Sequence, residues 1–230
     1  VQTCALPIYT PREEDKDEIN RKRENHEKIM KEGNKNEWKL DRKTFRKVIE
    51  KTKEKNKNFY KMFNYAGEEY KEAIFKLMEK LITTEEIPNC FLKTSLTQIW
   101  KKKGSPLSLN NMRFIHMREW QSRLLEALIT EKMKDDIVKN TPNIQLGGIP
   151  GESSVQHLVT LKTWMKMKEE KKEGGIFQVF DMAKFFDKES LLDCLDVLSK
   201  IAKIDHKCYR IWYLLNEDTK IRVRTSVGNT

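Results

Sequence analysis

Apolar residues are spread unevenly along this chain, and that unevenness constrains its fold more than any single motif. Over residues 11–62, Lys, Glu, Asn, Arg and Asp dominate, and apolar positions such as Ile19, Ile29, Trp38, Leu40, Phe45, Val48, Ile49 and Phe59 are sparse. Glu and Lys recur there at helical spacing, so charged helices are expected, but no heptad seam is sustained. The default expectation is a solvated, partly disordered arm, and the sharper alternative is a basic contact to nucleic acid. From Gly67 onward the apolar stripes become dense enough for a core. Across all 230 residues, 45 Lys and Arg stand against 35 Asp and Glu, a formal charge of +10. That excess favours an anionic partner, nucleic acid above all. No apolar run approaches the length of a membrane span, and no basic-then-apolar leader is seen. The 4 cysteines are too few for a disulfide scaffold. The expectation is an intracellular protein, in nucleus or cytoplasm, with no membrane partner.

Residues 1–8, Val1 to Ile8, look like a translated sequencing adapter, and composition changes abruptly at Tyr9-Thr10-Pro11. They are set aside as non-native. Residues 9–66 form the charged arm, and residues 67–230 the core-bearing part. There, Tyr70, Ile74, Phe75, Leu77, Met78, Leu81 and Ile82 make a helical stripe that ends before Pro88. Residues 91–100 read as extended, and Lys101-Lys102-Lys103-Gly104-Ser105-Pro106 as a basic turn. A long amphipathic helix is expected from about Ile115 to Val138. Gln145 to Gly151 is a glycine-rich loop, and Ser153 or Ser154 caps the helix after it, with Val155, Leu158, Val159, Leu161 and Met165 on one side. Ile176 to Phe180 is a buried-strand candidate. Ser190-Leu191-Leu192-Asp193 is a capping box. Lys220 to Thr225 alternates as a strand with one basic face.

The strongest local signal is Phe180-Asp181-Met182-Ala183-Lys184-Phe185-Phe186-Asp187. A carboxylate directly after an apolar strand sits at an exposed strand end, where it can hold a divalent cation. Alone, such an Asp is more often a cap or turn residue. In context, the pattern resembles the first catalytic motif of reverse transcriptases of non-long-terminal-repeat (LINE-type) retrotransposons. Further segments agree in order. Glu86-Ile87-Pro88 through Lys101-Lys102-Lys103-Gly104 resembles the opening of the fingers, and Asn110-Asn111-Met112-Arg113-Phe114-Ile115 resembles the Asn-aromatic-Arg-x-Ile fingers motif. Gln145-x-Gly147 through Gly151-x-Ser153-Ser154 resembles the loop before the catalytic palm strand. The resemblance covers roughly residues 70–230.

The resemblance implies an RNA-directed DNA polymerase, of which this chain carries the fingers and part of the palm. The implied fold is α+β, a small antiparallel palm sheet backed by helices beneath a basic fingers layer. Polymerisation is an in-line phosphoryl transfer in which two metal ions clamp the attacking and leaving oxygens. By resemblance Asp181 and the carbonyl of Met182 are magnesium ligands, and Asp181 is the catalytic carboxylate. Phe186 matches the aromatic beneath the incoming sugar, with an ordinary core aromatic as the alternative. Lys101, Lys103 and Arg113 are candidates to meet the triphosphate. Gly147, Gly148 and Gly151 would let backbone amides approach a nucleic-acid phosphate, or simply form a helix-entry turn. The implied partners are an RNA template, a DNA primer and deoxynucleoside triphosphates.

The sequence also departs from the family. Ile149, Pro150 and Glu152 stand where many relatives carry basic residues, and Phe185 where a small residue is usual. The second catalytic motif, aromatic-x-Asp-Asp, is absent, so this chain alone is expected to be inactive. Asp135-Asp136 precedes Asp181 and reads as a solvated helix end. Cys90, Cys194, Cys208 and the histidines lack zinc-ligand spacing. The competing expectations are a non-catalytic basic nucleic-acid-binding module and a charged helical interaction protein.

Overall fold

The structure is a computed structural model and describes residues 13–32, 38–55, 57–145, 147–149, 151–180, 190–225 and 228–229. Its architecture is α+β and mostly helical. The helices are α1 (Glu13–Lys31), α2 (Arg42–Lys55), α3 (Lys57–Tyr65), α4 (Glu68–Thr84), α5 (Trp120–Asn140), α6 (Ser154–Glu170), α7 (Leu191–Lys200) and α8 (His206–Glu217). The strands are β1 (Lys93–Trp100), β2 (Met112–Arg118), β3 (Lys220–Thr225) and the two-residue β4 (Gly228–Asn229).

The core is centred on α5, whose Leu124, Leu125, Leu128, Ile129 and Met133 are all buried. Against it pack Ile74, Phe75, Met78, Leu81 and Ile82 of α4, and Cys208, Tyr209, Ile211 and Leu215 of α8. The α4 stripe follows the expected helical period, and the helix ends at Glu85, whose φ of 57° is left-handed. Glu85 then turns back to accept from Arg210 at 2.7 and 2.8 Å. That guanidinium also donates to the Glu32 carbonyl at 3.1 Å. One buried cation of α8 thus ties together the ends of α1 and α4.

The charged N-terminal segment is not a solvated arm where it is described. Its few apolar residues fall at helical spacing, and Ile29, Leu40, Phe45, Val48, Ile49, Phe59 and Phe63 lie in the same core as α4 and α5. A narrow apolar stripe suffices when the flanking charges find partners. Lys47 and Lys51 of α2 both reach Glu131 of α5, at 2.6 and 2.5 Å. Arg42 grips Glu72 of α4 through two bonds of 2.6 and 2.9 Å while lying 4.5 Å over the Phe75 ring. Asp41 starts α2 by accepting from the Thr44 hydroxyl at 2.6 Å and the Thr44 amide at 2.8 Å; these bonds, the hydroxyl's first, hold its carboxyl below the ordinary range. On α1, Lys22 pairs with Asp193 at 2.8 Å, and His26 meets the Tyr209 hydroxyl at 3.0 Å.

The sheet is mixed rather than wholly antiparallel. β1 pairs antiparallel with β2 from Thr94↔Arg118 to Trp100↔Met112, and parallel with β3 from Lys93↔Lys220 to Leu96↔Val223. β4 adds antiparallel to β3. The parallel pair arises because a long crossover, ending in α7 and α8, separates β3 from the hairpin. α5 starts at Trp120, later than its apolar pattern suggested, because Met112–Arg118 pairs with β1 instead. Ile176–Phe180 forms no strand. Its side chains are exposed and no neighbouring strand pairs with it among the described residues. The apolar side of α6 is also open, with Val155, Leu158, Val159 and Met165 each more than half exposed. Among the described residues no helix is long and apolar enough to cross a membrane.

Candidate nucleic-acid interface

The β1–β2 hairpin brings the lysine turn and Arg113 to one end of the molecule. Arg113 lies directly across from Ile99, and the Lys101 amide donates to the Asn111 carbonyl at 2.8 Å. Arg113 is therefore a diagonal neighbour of Lys101, a separation of about 7–8 Å in such a ladder. Lys101, Lys102, Lys103 and Arg113 are all exposed. Lys101 Nζ donates to the Asn110 carbonyl at 3.1 Å, which leaves part of its donor capacity to solvent.

The turn is shaped by two left-handed residues. Lys102 has φ 57° and Gly104 has φ 65°. Glycine suits position 104, since a Cβ there would sit 2.5 Å from Asn111 Nδ2 unless that side chain moved. That same nitrogen donates to the Ser105 carbonyl at 2.9 Å and closes the loop. Leu107 and Leu109 of the loop are exposed.

Both roots of the hairpin are fixed to the helices. Before β1, the buried Ser122 hydroxyl of α5 donates to the Phe91 carbonyl at 2.6 Å. At the end of β2, Arg118 pairs with Glu126 of α5 at 2.8 Å and donates to Asn216 of α8 at 2.7 Å. Burial pushes the Glu126 carboxyl up despite this arginine. The hairpin therefore stands on a braced base, with exposed cations at its tip.

The glycine loop is a separate feature. Gly148 and Gly151 adopt φ of 79° and 90°, and Gln145 Nε2 donates to the Gly147 carbonyl at 3.1 Å. Ser153 caps α6 by accepting from the Val155 amide at 3.2 Å, as its position in the sequence suggests. Around the loop lies a groove lined by Val138 of α5, Thr141 just past its end, and Gln156 of α6. The three glycines are exposed.

Asp181, Met182 and Phe186 lie outside the described residues. Phe180, immediately before them, is 86% exposed, so the apolar run does not enter the core as a strand there. Asp135 and Asp136 fall within α5, with Asp135 exposed, as a helix-surface pair. Among the described residues no group of three His, Cys, Asp or Glu side chains could hold a metal ion. Burial pushes the Cys208 thiol up to about 12, so it is a core group rather than a nucleophile. No family model matches the chain.

The parallel pairing of β1 with β3 brings Lys93 beside the basic face of β3. Lys93 is paired with Lys220, and Ser95 with Arg222. The alternation of residues 220–225 does predict a basic face on β3. Nothing in the sequence signals that Lys93 joins it, because the pairing is non-local.

Proposed function

We propose that this chain is the fingers and partial palm of an RNA-directed DNA polymerase of the LINE type. The reading rests on the ordered resemblance of several segments. The observation that best supports it is the braced β1–β2 hairpin, which gathers the Lys101–Lys103 turn and Arg113 at one projecting end. A triphosphate carries dense negative charge, and exposed ammonium and guanidinium groups at one tip are suited to receive it. In this reading Asp181 and the Met182 carbonyl would hold magnesium, and the metal would stabilise charge on the attacking and leaving oxygens. Phe186 would pack beneath the incoming sugar. Gly147, Gly148 and Gly151 would admit a template or primer phosphate close to the backbone. The work would be done on an RNA template and a DNA primer inside the cell.

A second reading, a basic nucleic-acid-binding module without catalysis, uses the same cations and gives Asp181 no metal role. The magnesium dependence of nucleotide binding separates the two, because only the first reading predicts that Asp181→Asn weakens it. A fluorescent deoxynucleoside triphosphate with magnesium should bind the chain, and the Lys101→Gln, Lys103→Gln, Arg113→Gln triple variant should bind it measurably more weakly. Equal binding by the triple variant would remove the hairpin tip from the nucleotide site.

A further inference from the structure

Side chains at paired positions of neighbouring strands point to the same side of a sheet. The register therefore places Lys93, Ser95, Thr97 and Ile99 of β1 on one face. With them come Arg113, Ile115 and Met117 of β2, and Lys220 and Arg222 of β3. Lys93, Arg113, Lys220 and Arg222 are exposed, and none of them makes an ion pair among the described residues. Glu119, just past the end of β2, borders this surface beside Lys93, Lys220 and Arg222.

The pattern across the face is ordered. Lys93, Lys220 and Arg222 cluster where β1 and β3 begin. Ile115 and Met117, exposed at 41% and 50%, lie beside them on β2. Arg113 stands at the far end, toward the lysine turn. From Lys93 to Ile99 the strip is about 20 Å long, and three strands make it roughly 10 Å wide.

We propose that this face binds one single strand of nucleic acid along the hairpin, leading toward the Lys101–Lys103 turn. The cations take backbone phosphates, and the aliphatic side chains meet the sugars and bases. The occupant follows from chemistry. Four exposed cations that make no ion pair among the described residues call for a polyanion. The apolar residues between them call for a polyanion with exposed apolar surface. A single strand offers its base faces, whereas a duplex hides them in the stack. The proposal rests on the polymerase reading for the direction of the strand, and on the face itself for the contact.

The test is fluorescence anisotropy of the full chain with labelled oligouridylate at a series of salt concentrations. The Lys93→Gln, Lys220→Gln, Arg222→Gln variant should bind about tenfold or more weakly, and its salt slope should fall by about 2, three phosphate contacts at 0.7 each. The control is Lys139→Gln, Lys162→Gln, Lys166→Gln, which removes the same charge from the exposed surfaces of α5 and α6. It should keep the parental slope. Circular dichroism and a urea midpoint establish that both variants fold. Equal losses in the two variants would overturn the face and leave general basicity as the cause. If oligouridylate does not bind the parent chain at all, this proposal and the nucleic-acid reading beneath it both fall. Parental binding with an unaltered face variant overturns the face alone.

Discussion

Gly104 shows how a single residue sets the geometry of the candidate site. Its φ of 65° is left-handed, and its missing Cβ leaves room for the Asn111 amide. Forcing a side chain into that conformation costs about 1–2 kcal/mol. Gly104→Ala should therefore raise exchange of the Lys101 amide, which closes the turn on Asn111, by about 5–30-fold. Exchange at buried Leu128 should not change. Native-state hydrogen exchange checks this, and an unchanged Lys101 amide would show that the turn does not depend on glycine. At this scale much was legible. Ser153 and Ser190 cap their helices as their positions suggest, with Ser190 accepting from the Asp193 amide at 3.1 Å. Glycine in a basic turn was equally plain. The left-handed Lys102 and Glu85 were not, because no local residue preference marks them; the chain's path before and after imposes them.

At the scale of elements, composition misled where the apolar stripe was narrow. α2 is a run of Lys, Arg and Glu to the eye, yet Phe45, Val48 and Ile49 form a one-sided contact with the core. Its charges are satisfied across the interface by Glu72 and Glu131, which no local pattern shows. Burying an aliphatic or aromatic side chain contributes about 1.5–3 kcal/mol. The seven core residues of α1 to α3 and their linkers, from Ile29 to Phe63, therefore contribute about 10–20 kcal/mol. A typical domain's net stability is about 5–15 kcal/mol. Residues 67–230 expressed without residues 1–66 should consequently lose the cooperative urea transition shown by the full chain. A sharp transition at the parental midpoint would show that the N-terminal helices are dispensable. The opposite error occurred at Ile176–Phe180. The run is apolar and bounded by turn residues, but a strand exists only with a neighbour, and among the described residues none is beside it. The late start of α5 has the same origin, since pairing with β1 claims Met112–Arg118 before helical periodicity can.

For the whole molecule, helices with a small sheet were legible, and the mixed order β2-β1-β3 was not. Strand order is decided by contacts between residues more than a hundred positions apart, such as Lys93 with Lys220. The candidate site divides in the same way. The hairpin cations are assembled by local pairing and could be anticipated, whereas the basic face behind them depends on β3. The proposed role of Asp181 rests on its motif, Phe180-Asp181 through Phe186-Asp187, and on the position of that motif after the glycine loop. The sequence contains no aromatic-x-Asp-Asp, and two metals need more than one fixed carboxylate. The decisive measurement is magnesium-dependent primer extension on an RNA template by the chain carried within a polymerase that supplies the aromatic-x-Asp-Asp motif, with and without Asp181→Asn. The account predicts extension by the parent and none by the variant, with RNA affinity nearly unchanged because binding relies on the cations. Full extension by Asp181→Asn would contradict it.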